Sequence, residues 1–256
     1  MKTIILAGGF GTRLSEETEI RPKPMVEVGG RPILWHIMKI FAYYGFDDFV
    51  IALGYKADFI KKYFLEYVNY SGNLTVQIRD GRSRILQREQ DEWTIHLEDT
   101  GLETMTGGRI KKLAEWVKDE PFIVTYGDGV GDVDIHALID FHKKQGKLAT
   151  VTAVRPPARY GGLYMENGLV TKFTEKPQTG EGWINGGFLV CEPQILQMIK
   201  GATSSLESEL LEELAAQGQL SAYCHEGFWQ CMDTLRDLKY LESLWTAGKA
   251  PWKVWK

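Results

Sequence analysis

The residues that most constrain this chain stand at its start. Thr3-Ile4-Ile5-Leu6-Ala7 is a short apolar run that breaks directly into Gly8-Gly9-Phe10-Gly11-Thr12-Arg13-Leu14. The pattern predicts a strand feeding a phosphate cradle. Three glycines let the backbone approach an anion and turn its N–H groups toward it, Thr12 adds a hydroxyl, and Arg13 adds a forked cation that matches phosphate oxygens. Arg21-Pro22-Lys23-Pro24-Met25 follows and presents a second positive charge, Lys23, between two prolines that stiffen its loop. An ordinary glycine-rich turn after a strand needs neither Arg13 nor Lys23.

Two familiar glycine loops do not fit. The dinucleotide fingerprint needs a third glycine three residues after the second, and counting from Gly9 and Gly11 that place is Leu14. A P-loop needs Gly-Lys-Ser/Thr, whereas this loop has Gly11-Thr12-Arg13.

Apolar runs and helical patterns alternate through the first half, the habit of βαβ units and a mostly parallel sheet. We expect strands at Thr3–Ala7, Phe49–Leu53, Leu74–Ile78 and Pro121–Tyr126, and helices at Pro32–Tyr44, Lys56–Tyr67, from Met105 to about Val117, and at Ile135–Gln145. Arg82–Glu98 reads as a charged surface excursion. The loop after Tyr126, Gly127-Asp128-Gly129, again follows a strand's carboxyl end, so it should face the same site as the loop after Ala7. The second half is β-rich, with strands expected at Thr150–Val154, Gly162–Met165, Val170–Glu175 and Trp183–Val190. Helices at Glu207–Gln217 and Thr234–Thr246 finish the chain. With no linker or repeat, one compact unit of two lobes is expected.

The 256 residues, 44% of them hydrophobic, can bury a substantial core. A net charge of −4 and a pI near 5.8 exclude nucleic acid as the main partner. Three cysteines, Cys191, Cys224 and Cys231, form neither an even disulfide set nor a zinc spacing, which points to a reducing, cytoplasmic setting. The apolar start is too short for a signal peptide, and no stretch approaches a membrane span.

Asp128 and Asp233 each follow an apolar or aromatic segment. Alone, each reads more readily as a turn residue or helix cap, but beside an anion loop they suit Mg²⁺, which is held by one or two carboxylates together with substrate phosphates. The histidines His36, His96, His136, His142 and His225 fall in no metal or nucleophile spacing. Trp245, Trp252 and Trp255 read as packing residues of the tail.

Taken together, GGFGTRLSEET with PKPM, MTGGR, TYGDGV, EKP, INGGF, GFWQCMDTLRD and APWKVW resemble the sugar-phosphate nucleotidyltransferases, the pyrophosphorylases that make NDP-sugars. They are similar above all to the cytidylyl branch. Its thymidylyl and uridylyl relatives place a proline after Arg-Leu, where this chain has Ser15-Glu16-Glu17-Thr18. Arg21, where lysine is common, and Arg159-Tyr160-Gly161-Gly162, in place of a similar Arg-aromatic-Gly run, are mild departures. The resemblance implies a Rossmann-like three-layer α/β/α fold with a mostly parallel mixed sheet and a smaller β-rich sugar lobe. It would be one domain, with a nucleotide half over about 1–147 and a sugar half over about 148–256.

The same resemblance implies site roles. Leu6, Ala7, Gly8, Gly9, Gly11, Thr12, Arg13 and Lys23 would bind substrate, chiefly its phosphates, with Arg13, Lys23 and Asp128 catalytic. Asp128 and Asp233 would hold magnesium, Mg²⁺. Thr104, Gly108, Arg109 and Gly127 would contact nucleotide, Glu175 and Lys176 the sugar phosphate, and Asn185 and Gly186 the sugar hydroxyls. Read without it, Arg109 is a helix-surface charge, Glu175-Lys176-Pro177 a solvated turn, and Asn185-Gly186 a hairpin turn. The implied substrates are CTP and glucose 1-phosphate, giving CDP-glucose for a bacterial surface polysaccharide, and the implied assembly is a homo-oligomer. A dTDP- or UDP-glucose enzyme, or a non-catalytic nucleotide-sugar-binding relative, stays open at this point.

Overall fold

The apolar runs of the first half form the centre of a seven-stranded sheet. The structure, a computed structural model, describes residues 1–11, 14–70, 72–86, 91–155, 162–166, 169–174 and 182–256. Its strands are β1 (Thr3–Leu6), β2 (Glu27–Val28), β3 (Arg31–Pro32), β4 (Asp48–Leu53), β5 (Asn73–Gln77), β6 (Arg82–Leu86), β7 (Thr94–Asp99), β8 (Phe122–Tyr126), β9 (Gly129–Gly131), β10 (Ala149–Val154), β11 (Gly162–Glu166), β12 (Leu169–Thr174), β13 (Ile184–Cys191), β14 (Leu220–His225) and β15 (Trp229–Cys231). Its α-helices are α1 (Ser15–Thr18), α2 (Ile33–Tyr43), α3 (Ala57–Tyr70), α4 (Thr106–Lys112), α5 (Ala114–Val117), α6 (Ile135–Gln145), α7 (Ile195–Met198), α8 (Glu212–Ala216) and α9 (Leu235–Thr246).

The large sheet has the order β14-β10-β13-β8-β1-β4-β7. β1 pairs in parallel with β4 and β8, β4 with β7, and β10 with β14, while β13 runs antiparallel to both β8 and β10. Because β13 is reversed, its amino end, Ile184–Gly187, reaches the edge where β1, β4 and β8 have their carboxyl ends. That places the loops after Leu6 and Tyr126 and the start of β13 at one rim, where ligands bind in open α/β sheets.

Alternate strand residues face opposite layers. Ile5, Phe49 and Ile51 pack with α2, α3, α6 and α9, whereas Ile4, Val50 and Val124 pack with α4, α7 and the residues around α8. The result is a three-layer α/β/α unit. Each such side chain, fully buried, contributes about 1.5–3 kcal/mol relative to exposure, so the central strands anchor the rim above them.

The tail packs inward. Trp252 is buried, and its indole Nε1–H donates to Nδ1 of buried His36 at 3.3 Å, while the other ring nitrogen of His36 lies 2.8 Å from the Val28 carbonyl. Trp35, Trp245 and Trp255 complete the ring cluster around His36. Burial, partly countered by its backbone hydrogen bonds, lowers the His36 pKa to about 4.

Three expectations need correction. The expected strand at Leu74–Ile78 forms as β5 but pairs with β6 in an exposed hairpin outside the main sheet. Overlapping the end of Arg82–Glu98, read as surface excursion, Thr94–Asp99 forms the edge strand β7. An edge strand has only one sheet neighbour, so it lacks the unbroken apolar run of a central strand. The helix expected over Glu207–Gln217 begins as a π-helical turn, Leu206–Leu211, before α8.

Candidate active site

A cleft of about 570 Å³ opens at the carboxyl rim, between the loop after β1 and the loop after β8. Leu6, Ala7, Gly8, Gly9 and Gly11 line one wall, Thr104 and Arg109 another, and Gly127, Asp128, Lys23 and Asp233 its floor. A smaller hollow of about 280 Å³ shares Tyr126, Asp128 and Asp233 with the cleft and adds Asn185 and Gly186. Most of the residues singled out in the sequence therefore converge.

The first loop is held from behind. The Gly8 carbonyl accepts from the Tyr55 backbone N–H at 3.1 Å and from Arg109 Nη2 at 3.0 Å. Gly11 has a φ of +65°, which favours glycine. Gly8 must lack a side chain, since a Cβ there would lie 2.3 Å from Arg109 Nη1.

Arg109 is buried, and its guanidinium is committed to protein. Nη1 donates to Leu53 O at 2.9 Å, Thr100 Oγ1 at 2.6 Å and Gly101 O at 2.8 Å, and Nη2 donates to Leu102 O at 3.2 Å as well as to Gly8. This one fork ties together the loops after β1, β4 and β7. Gly108, next to it in α4, is absent from both cavities and packs on backbone: a Cβ there would stand 2.3 Å from the Ala202 carbonyl oxygen.

Lys23 is the centre of the floor. Pro22 precedes and Pro24 shares its short 3₁₀ turn, Lys23–Met25. Its Nζ donates to Asp128 Oδ2 at 2.7 Å and to Asp233 Oδ1 at 2.6 Å. Burial works against the ammonium, but Asp128, Cys231 and the hydrogen bonds to both aspartates outweigh it and hold the Lys23 pKa above its ordinary value.

Local structure fixes both aspartates. Asp128 ends the turn out of β8, and its carbonyl accepts from Met232 N at 2.9 Å beside the β9–β15 ladder. Asp233 does not cap α9. Thr234 is the N-cap, in a capping box with Asp237, which leaves the Asp233 carboxylate to face Lys23. Cys231 Sγ and carboxylate oxygens of Asp128 and Asp233 all lie within 4.8 Å of one another. Two converging carboxylates already bridged by an ammonium are a donor set that fits a hard divalent cation. Burial, and next Asp128, push the Cys231 thiol pKa upward.

Glu207, not singled out from the sequence, lines the cleft opposite. It accepts from Tyr126 Oη, from Thr106 Oγ1 at 2.7 Å and from Ser205 Oγ at 3.0 Å. Burial, then Glu207, raises the Tyr126 pKa. Trp229 Nε1 donates to Gly186 O at 2.7 Å, and Asn185 Oδ1 accepts from Gly187 N at 2.9 Å, which fixes the start of β13. Thr12, Arg13, Glu175 and Lys176 lie outside the described residues. Among the described residues, no helix is long and apolar enough to cross a membrane.

Residues 2–249 match the Nucleotidyl transferase family. The chain is 52% identical to the glucose-1-phosphate cytidylyltransferases of Salmonella typhi and of Salmonella typhimurium, over 257 aligned positions that cover 100% of this chain and of each relative. The crystal structure of HddC from Yersinia pseudotuberculosis superposes with a TM-score of 0.71 at 23% identity, covering 95% of this chain and 99% of that one, and so shares the fold.

Proposed function

The chain belongs to the nucleotidyl transferase family, and from that premise we propose that it is an enzyme that transfers the cytidylyl group of CTP to α-D-glucose 1-phosphate. The products are CDP-glucose and pyrophosphate. Full-length identity of 52% to glucose-1-phosphate cytidylyltransferases supports the choice of substrates. The observation that carries the chemistry is Lys23 held 2.7 and 2.6 Å from Asp128 and Asp233 beneath the glycine loop.

An oxygen of the sugar phosphate attacks the α-phosphorus in line as pyrophosphate leaves. That oxygen is already ionised, so the site needs no general base. The two substrates bring about six negative charges, and each like pair 4 Å apart repels by about 4 kcal/mol at an effective dielectric of 20. Catalysis therefore rests on placed positive charge.

Asp128 and Asp233 would hold Mg²⁺, which when bound supplies Lewis-acid charge at the α-phosphate and the attacking phosphate. The chain's own groups do the rest. Lys23 releases the carboxylates and meets charge building at the α-phosphorus. The backbone N–H groups of Gly8 to Gly11, with Arg13, take the departing phosphates, and Lys176 takes the incoming sugar phosphate. Arg109 and Gly108 serve the nucleotide by shaping the wall on which it lies, and Asn185, Gly186 and Glu175 meet the sugar.

The division into a nucleotide half and a sugar half belongs to the same reading, as do a cytoplasmic setting and supply of CDP-glucose to surface-polysaccharide synthesis. Exposed Leu74 and Val76 in β5, with Ile78 just beyond it, support a homo-oligomer.

The test is pyrophosphate release from purified protein with Mg²⁺ and glucose 1-phosphate, comparing CTP, UTP, dTTP and ATP, with an EDTA control. Release with CTP that EDTA abolishes supports the proposal. Preference for UTP or dTTP keeps the site and changes the substrate, and no release with any nucleotide leaves a binding protein.

A further inference from the structure

The reaction above makes no use of Cys231, although its sulfur faces both carboxylates. We propose that Cys231 is a third donor beside Asp128 and Asp233, so that this site binds thiophilic divalent cations such as Cd²⁺ more tightly than an all-oxygen site would. The inference rests on the reading of that pair as the metal-holding carboxylates.

Three observations carry it. The sulfur and the carboxylate oxygens lie within 4.8 Å of one another, and donors around a tetrahedral ion of this kind stand about 3.5 Å apart, so a modest closure suffices. Cys231 is paired with Gly129 in the β9–β15 ladder and lines the smaller hollow together with Asp128 and Asp233. Lys23 Nζ bridges the two carboxylates, so both are already turned toward one shared cation position, from which a bound metal would displace the ammonium. Thiolate is a soft ligand that favours Cd²⁺ and Zn²⁺, whereas Mg²⁺ favours oxygen. As the metal–sulfur bond forms the S–H bond breaks, and its proton passes to solvent.

The experiment is titration of the full-length protein with Cd²⁺, without substrates, following the ultraviolet charge-transfer band of a Cd–thiolate bond. Cys224, an exposed thiol, serves as control through Cys224→Ser. The expected band saturates in the unmodified protein and in Cys224→Ser, and is lost in Cys231→Ser. In Asp128→Asn its half-saturation rises about tenfold or more. No band in the unmodified protein overturns the proposal, whatever the variants do. So does a band that survives in folded Cys231→Ser or Cys231→Ala, or one unmoved in Asp128→Asn. Pyrophosphate release with Mg²⁺, run on the same preparations, separates the two claims: release without a band overturns only the role of Cys231, and a band without release supports that role while overturning the reaction.

Discussion

Lys23 and His36 are both buried ionisable side chains, and burial ends differently at each. At Lys23 two carboxylates outweigh the desolvation, so the ammonium stays charged. At His36 desolvation prevails, and the ring stays neutral between the Val28 carbonyl and the Trp252 indole. A charge kept inside the protein by other charges can be handed to a ligand. A neutral ring among tryptophans can only hold the tail in place.

The largest effect should come from breaking the charged cluster. Asp128→Asn should lower kcat by about 100-fold or more while the protein stays folded. Steady-state kinetics and a melting curve on one preparation decide it, and near-normal turnover would remove Asp128 from the chemistry. Lys23→Met should be similarly inactive, and it also leaves two carboxylates facing each other without their ammonium.

Arg109 lies between these cases: a charged group at the cleft wall that spends its charge on carbonyls. Arg109→Lys keeps the charge but loses the fork, so the Gly101, Leu53 and Gly8 carbonyls each lose a donor, with Leu53 keeping its bonds from Thr100 and Gly8 its bond from Tyr55. Unfolding in urea should show a loss of about 2–4 kcal/mol. Unchanged stability with a raised KM for CTP would make the guanidinium a ligand contact instead.

The His36 cluster predicts an acid response. Its pKa falls from 6.5 to about 4 on folding, so below 6.5 the unfolded chain binds a proton that the folded chain refuses. Its contribution is full above pH 6.5 and is lost as pH falls through 4, by on the order of 3 kcal/mol. Lys23 has the opposite sign: its raised pKa gives stability that is present below 10.5 and lost at still higher pH. His36→Gln should therefore flatten the melting temperature between pH 6.5 and 4, and a profile as steep as the parent's would place the acid sensitivity elsewhere.

What the sequence made legible follows the same physics. β1 and β8 were readable because a strand covered on both faces has no polar interruption, and the rim loops then followed from their carboxyl ends. β7, covered by one sheet neighbour, was not. Asp233 reads more readily as a cap until Thr234 and Asp237 are seen to fill that place. Glu207 sits in a helix-like run where acidic residues are ordinary, and only the π-helical turn with Tyr126 and Thr106 reveals its position in the cleft.

Glycines sharpen the point, because a sequence shows that a side chain is missing but not what fills the space. A Cβ at Gly9 would meet nothing within 4 Å, on the exposed side of the cleft wall. A Cβ at Gly108 would meet Ala202 backbone at 2.3 Å. Gly9→Ala should then fold with unchanged stability, and its KM for CTP should rise by about tenfold if that space belongs to the nucleotide. Gly108→Ala gains about 1 kcal/mol of helix propensity but crowds a backbone oxygen that cannot rotate away. Overpacking of about 1–3 kcal/mol should exceed that gain and leave a small net loss of stability in urea. If instead Gly9→Ala is the destabilised variant and Gly108→Ala the one with the weakened KM, the assignment of the first loop to the ligand and of the second to packing is reversed.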